Sequence, residues 1–223
     1  MRKFGMIILI VVSCTALSFA QKNRPYFEMG SKAILFEFQG IDNLGANSFN
    51  GGIGGKYFLQ PRLAVRGGIQ LVSISEDVPF QGTNGIDGSN SASQYGIFGA
   101  VEFHLDTAQV SPYFGGGLGV TFTSTESKSA EADPVDQVII KNNRNGVFGY
   151  LGGTEFTVFA LAGVEIFLIR SLSLGAEYRL GIEQLSRKDE ERTQGNTTVT
   201  TKQGTRTAIG VASVGVLTLA VYF

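Results

Sequence analysis

The sequence predicts an all-β protein, an eight-stranded antiparallel transmembrane up-and-down β-barrel. Three observations lead there. About eight segments alternate apolar and polar residues with the period of a strand. The links between those segments alternate between short and long. Beyond the N-terminal run, no stretch reaches the ~20 consecutive apolar residues of a helical span, although 43% of the residues are hydrophobic. Such a chain can occupy a membrane only as a closed barrel, in which strands satisfy one another's backbone groups.

The segments are 31–40, 49–60, 62–75, 93–105, 111–124, 155–169, 172–185 and 206–223. About 10 residues carry a tilted strand across a bilayer, so each is long enough. In the first, Ile34, Phe36 and Phe38 interleave with Leu35, Glu37 and Gln39. The second and fifth hold glycines at every other place, Gly52 and Gly54, then Gly115, Gly117 and Gly119. In the fourth, Tyr95, Ile97, Val101, Phe103 and Leu105 oppose Phe98, Glu102 and His104. In the seventh, Leu172, Leu174, Ala176, Tyr178, Leu180 and Ile182 oppose Ser173, Glu177, Arg179 and Gly181. The last segment puts Val211, Leu217, Leu219, Val221 and Phe223 on one parity, with the small Ser213 and Gly215 between them. Alternate residues of a strand share a face.

Three links are short: Pro61, 106–110 and Arg170-Ser171. Three are long and polar: 76–92, 125–154 and 186–205, with 41–48 intermediate. If the N-terminus is periplasmic, every short link lies on that side and every longer one outside. Transmembrane barrels show this asymmetry; a soluble sandwich has no reason to sort its loops by parity. Tyr57-Phe58, Phe103, Tyr113-Phe114, Phe167 and Tyr222-Phe223 fall beside the periplasmic ends, as an interfacial aromatic girdle would.

Residues 1–20 have the basic start (Arg2, Lys3), apolar middle and small-residue cleavage pattern (Ser18-Phe19-Ala20) of a secretory signal peptide. A second reading takes Val11-Val12-Ser13-Cys14 as a lipobox, with Cys14 lipidated. The expected organisation is a signal peptide over 1–20, a short periplasmic segment over 21–30 and the barrel over 31–223. Leaving out Arg2 and Lys3 lowers 18 basic residues to 16 against 19 acidic ones, a formal charge of −3. That balance argues against a nucleic-acid partner, which needs a basic face.

The signal peptide, the loop asymmetry and a final apolar-faced strand ending on Phe223 together resemble the small OmpA/OmpX-type bacterial outer-membrane β-barrel proteins. No single motif carries the likeness. It implies a bacterial outer-membrane location, lipid around the barrel, and recognition of Leu217, Leu219, Val221 and Phe223 by the barrel-assembly machinery as an insertion signal. No peptidoglycan-binding domain is expected after the barrel.

With the apolar parity toward lipid, the lumen receives Glu37, Lys56, Arg66, Glu102, His104, Glu165, Glu177, Arg179 and Glu183. An eight-stranded barrel is just wide enough for side chains to fill it, so these charges read as a paired polar plug. The alternative is a narrow passive channel gated by the same pairs. Some outer-membrane barrels are lipid-modifying enzymes, but the one histidine, His104, has no nucleophile arranged beside it in the sequence. No metal-ligand spacing is present and no cofactor is implied. Gly115-Gly116-Gly117-Leu118-Gly119 lacks the lysine and helix of a phosphate loop. The 188–192 run KDEER reads as a solvated loop tip, while 135–140 and 197–201 could extend strands outward and meet a surface ligand. The expected function is non-enzymatic, structural or surface-interacting.

Overall fold

The computed structural model describes residues 27–39, 48–211 and 215–223. The signal-peptide and lipobox readings, and most of the first link, lie outside the described residues.

Among the described residues, twelve strands form one sheet. They are β1 (Lys32–Gln39), β2 (Ser48–Gln60), β3 (Leu63–Val78), β4 (Gly88–His104), β5 (Val110–Lys128), β6 (Val138–Lys141), β7 (Gly153–Ile169), β8 (Leu172–Arg187), β9 (Glu190–Gln194), β10 (Thr197–Thr201), β11 (Thr205–Val211) and β12 (Val216–Tyr222). Every pairing is antiparallel. Neighbours run β1–β2–β3–β4–β5–β7–β8–β12, and β12 returns to β1, from Ala33 opposite Tyr222 to Gln39 opposite Val216. The ring therefore closes through eight strands, while the sheet holds twelve. Closure leaves those eight strands with partners on both sides over their paired lengths.

The additional strands come from two departures. The final segment 206–223 is two strands, β11 and β12, both on β8. Val211 faces Leu180 and Val216 faces Glu177, so the last strand spends more residues than β8 over the same stretch. Such an excess interrupts a ladder. The second departure lies in the long links. Residues 138–141 pair with the outer end of β5, β9 pairs with β6, and β10 pairs with β9. The KDEER run is thus not a bare loop tip: Glu190, Glu191 and Arg192 belong to β9. Of the 135–140 segment only 138–140 enter β6, since Pro134–Asp136 form a 3₁₀ turn, whereas 197–201 supply β10 whole, as their strand propensity suggests.

Alternation sets the two faces of the ring. In β1, Ala33, Leu35 and Glu37 are buried and Ile34 and Phe36 exposed. In β12, Val216, Thr218, Ala220 and Tyr222 turn inward, while Leu217, Val221 and Phe223 are exposed. The outer face carries Ile69, Leu71, Ile97, Leu118, Val158, Leu180 and Ile182, an apolar belt around mid-strand. An apolar band of that extent marks an interaction with something apolar.

The expected aromatic girdle is only half outside. Tyr57, Phe103, Phe114 and Phe223 are exposed, but Phe58, Tyr113, Phe167 and Tyr222 are buried within the ring. Adjacent residues of one strand point to opposite faces, so each aromatic pair divides between lipid side and lumen.

Candidate functional site

The lumen is built in layers, beginning at the end where β1 starts. Gly30 adopts φ +91°, a conformation that only glycine takes without cost, and turns the chain beneath the ring. Gly30 N–H donates to the Phe58 carbonyl at 2.8 Å, and Ser31 N–H to that of Glu28 at 3.1 Å. This seats Phe27 under the opening. Its ring meets Phe58 at 5.4 Å, His104 at 5.1 Å and Phe167 at 5.1 Å between centroids, in edge-to-face geometry. Tyr222 completes the floor, 5.2 Å from Phe167 and 6.3 Å from Phe58.

His104 joins this floor to the charges above it. Ser111 Oγ donates to the Asp106 carbonyl at 2.5 Å, which leaves its oxygen to accept from His104 Nδ1–H at 2.8 Å. His104 Nε2 then faces Glu102 Oε2 at 3.5 Å. The sequence showed no nucleophile beside His104, but the fold brings Ser111 Oγ within hydrogen-bond reach of it; that hydroxyl is buried and already donates to the Asp106 carbonyl.

Above lies a layer of three cations and four carboxylates. Lys56 Nζ meets Glu102 at 2.7 Å and Glu165 at 3.0 Å. Arg66 reaches Glu177 at 2.7 Å, Glu102 at 2.9 Å and Glu37 at 3.7 Å. Arg179 holds Glu177 at 2.6 Å and Glu37 at 3.3 Å. Hydroxyls take up further carboxylate lone pairs: Tyr113 donates to Glu177 at 3.0 Å, Tyr222 to Glu165 at 2.7 Å and Ser173 to Glu165 at 2.5 Å. Removing charges from water is costly unless each is paired and hydrogen-bonded, and here the pairing is dense. The Tyr113 ring reaches its carboxylate by lying on Gly163, where a Cβ would stand 2.7 Å from the ring.

Arg179 closes the layer. Its guanidinium carbon sits 5.4 Å from the Phe98 centroid and 5.1 Å from that of Phe159, within cation–π range. A void of about 10 Å³ between Lys56, Arg66, Tyr113 and Thr218 lies at the lower limit for one water. Beyond Arg179 the lumen widens into an outer cavity of about 170 Å³, lined by Gln94, Thr123, Glu155, Glu183, Leu185 and Arg206 and bordered by Tyr150.

Of the nine charged lumen residues singled out in the sequence, eight converge: Glu37, Lys56, Arg66, Glu102, His104, Glu165, Glu177 and Arg179. Glu183 does not; six residues beyond Glu177 on β8, it is exposed and lines the outer cavity. Sequence reasoning missed Phe27, Ser111, Tyr113, Ser173 and Tyr222. For all but Phe27 the signal was present. Ser111 and Tyr113 share the parity of Gly115 and Gly117, Ser173 that of Glu177 and Arg179, and Tyr222 has the parity opposite to Val221 and Phe223.

The geometry is that of a closed, side-chain-filled β-sheet ring with an apolar exterior. The model for the outer membrane protein beta-barrel domain matches residues 6–211. The chain belongs to that family. This outer-membrane barrel is also similar in structure to a major outer membrane protein from Thermus thermophilus, with TM-score 0.51 at 14% identity, over 86% of this chain and 99% of that one. At that identity the likeness is one of fold. No curated protein matches the chain at a significant level.

A membrane exterior makes a direct prediction. Ile97 is 62% exposed at the middle of β4, beside the outward Ile69 of β3. Ile97→Arg is expected to cost about 2–4 kcal/mol for a barrel unfolded from bilayers, the depth-dependent cost of a midplane arginine. Urea titration in lipid vesicles measures it. A change near zero would mean that water, not lipid, meets this face.

Proposed function

We propose that this outer-membrane barrel is a non-enzymatic protein with a structural and surface-interacting role, and that it does not conduct solutes. The observation that carries this reading is the filled lumen. Phe27 and the floor rings stand below, seven paired charges occupy the middle, and Arg179 rests on Phe98 and Phe159 above. A passive pore needs a continuous wet path, and here every charged side chain within the layer lies against an opposite charge, while Arg66 Nε and Thr218 Oγ1 are buried with no hydrogen-bond partner among the described residues.

Burial supports the non-enzymatic reading: His104 touches both Ser111 and Glu102, but all three are 0% exposed inside the ring, and the Ser111 hydroxyl already donates to the Asp106 carbonyl. Contact with the outside falls to the β6–β9–β10 extension. All five residues of β10 are exposed, and its far edge pairs with no strand among the described residues. Such an edge can accept an extended segment of a surface ligand. In biogenesis, the signal peptide of residues 1–20 would direct export. The outward Leu217, Leu219, Val221 and Phe223 would then offer the insertion signal to the barrel-assembly machinery.

Planar-bilayer recording tests the central point. Purified protein is expected to insert without discrete conductance steps. Stable steps whose size changes in Arg66→Ala or Arg179→Ala would instead establish a channel running through the charge layer.

A further inference from the structure

The outer cavity contrasts with the layer beneath it. Below, every lysine and arginine sits against carboxylates. In the cavity, Glu155, Glu183 and Arg206 form no ion pair among the described residues, although they line one space. The strand register places them closely. Leu185 of β8 lies opposite Glu155 of β7 on one side and Arg206 of β11 on the other. One step deeper, Glu183 lies between Thr157 and Ala208 in the same manner. Two carboxylates and one guanidinium therefore surround the apolar Leu185, which is 8% exposed. Glu155 lies near enough to Glu183 and Arg206 to feel both charges, and its one hydrogen bond among the described residues is a long one from Thr157 Oγ1, at 3.4 Å.

The mouth is also shaped. Val147 and Tyr150 pair across Phe148 and Gly149, whose φ values of 52° and 82° describe a tight hairpin turn. A bulky residue at positive φ is uncommon. That turn brings Tyr150 and Leu151 to the cavity rim.

We propose that this cavity binds a small zwitterionic solute of free-amino-acid size. Its ammonium group lies between Glu155 and Glu183, and its anionic group meets Arg206. The size follows from the volume. About 170 Å³ is below the ~300 Å³ at which pockets for drug-sized ligands begin. The charge pattern selects the class. A divalent cation would want six or more oxygen ligands, whereas the described residues hold no cluster of three metal-ligating side chains, and Arg206 would repel it. A simple anion would meet two carboxylates. Only a ligand carrying both signs satisfies all three groups. The layer beneath blocks its passage, so the cavity acts as a receptor site rather than an entrance.

Calorimetric titration of the full-length protein in detergent micelles tests this, with L-alanine as zwitterion, ethylamine as cation and acetate as anion. L-Alanine is expected to bind saturably, and each single-charge probe at least about tenfold more weakly, as loss of one charged hydrogen-bond set implies. Glu183→Gln and Arg206→Gln should each weaken L-alanine by about tenfold, and Ala208→Phe, which fills the space while keeping the charges, should abolish binding. None of these residues belongs to the buried ion-pair layer, so the heat-dependent gel mobility of the variants should match that of the parent. Absence of saturable L-alanine binding would overturn the proposal. So would equal binding of all three probes, or binding that survives Ala208→Phe.

Discussion

Arg66→Ala is expected to lower the unfolding free energy by about 3–5 kcal/mol, the cost of removing one partner from a buried ion pair. Arg66 has the densest set of partners in the lumen, touching Glu177, Glu102 and Glu37 from one guanidinium that is 2% exposed. Without it, Lys56 still serves Glu102, and Arg179 still serves Glu37 and Glu177. The remaining two cations must then neutralise four carboxylates in a space that admits almost no water. Native proteins are stable by only about 5–15 kcal/mol, so the loss should be visible as a lower urea midpoint and as mobility change at lower temperature on a heat-modifiability gel. Arg66→Lys should recover part of it, because an ammonium restores the charge but lacks the two separate nitrogens by which the guanidinium meets Glu102 through Nη1 and Glu177 through Nη2. A loss under about 1 kcal/mol, the level of a solvated pair, would show the layer to be hydrated and would reopen the channel reading.

Phe58→Ala should have a comparable effect for a different reason, about 3–5 kcal/mol for deleting a fully buried ring. Phe58 is 0% exposed and holds together parts distant in sequence. It packs edge-on against Phe27 and at a tilt against His104 and Tyr222, and the Lys56 ammonium lies 5.5 Å from its centroid. Truncation would leave a cavity beneath the charges and release Phe27 from one of its three ring contacts. The control is Phe103→Ala, an outward phenylalanine 40% exposed at the same end of the ring. It should cost clearly less under the same urea titration. Equal losses would contradict the division of aromatics between lumen and exterior.

That division shows where sequence reasoning succeeds and where it stops. The parity of Ile34, Phe36, Glu37, Glu102, Glu177 and Arg179 is a local property of a strand, so each side chain's face could be assigned before any partner strand was known. The same rule would have turned Phe58, Tyr113 and Tyr222 inward. They were placed in a girdle because an aromatic near a strand end also satisfies an interfacial role. Phe27 was illegible for another reason: it precedes the first strand, and only the turn at Gly30 brings it under the opening. The β6–β9–β10 extension lay at the margin, since 197–201 has strand propensity but the KDEER run has none. Pairing with β6 and β10 overrode that weak local preference.

By itself, then, the sequence determined an all-β chain with one apolar and one charged face, links sorted by length, and an inward set of acids and bases. Those features repeat every two residues or sit within one segment, so local chemistry suffices to specify them. The tertiary structure alone decided which acid meets which base. Lys56 and Glu165 are 109 residues apart, Arg66 and Glu177 are 111 apart, and Arg179 and Glu37 are 142 apart. Such contacts depend on strand order, register and the curvature that brings opposite walls together. The same closure set Glu183 apart from the charge layer and placed it, with Glu155 and Arg206, around a cavity that no local pattern announces.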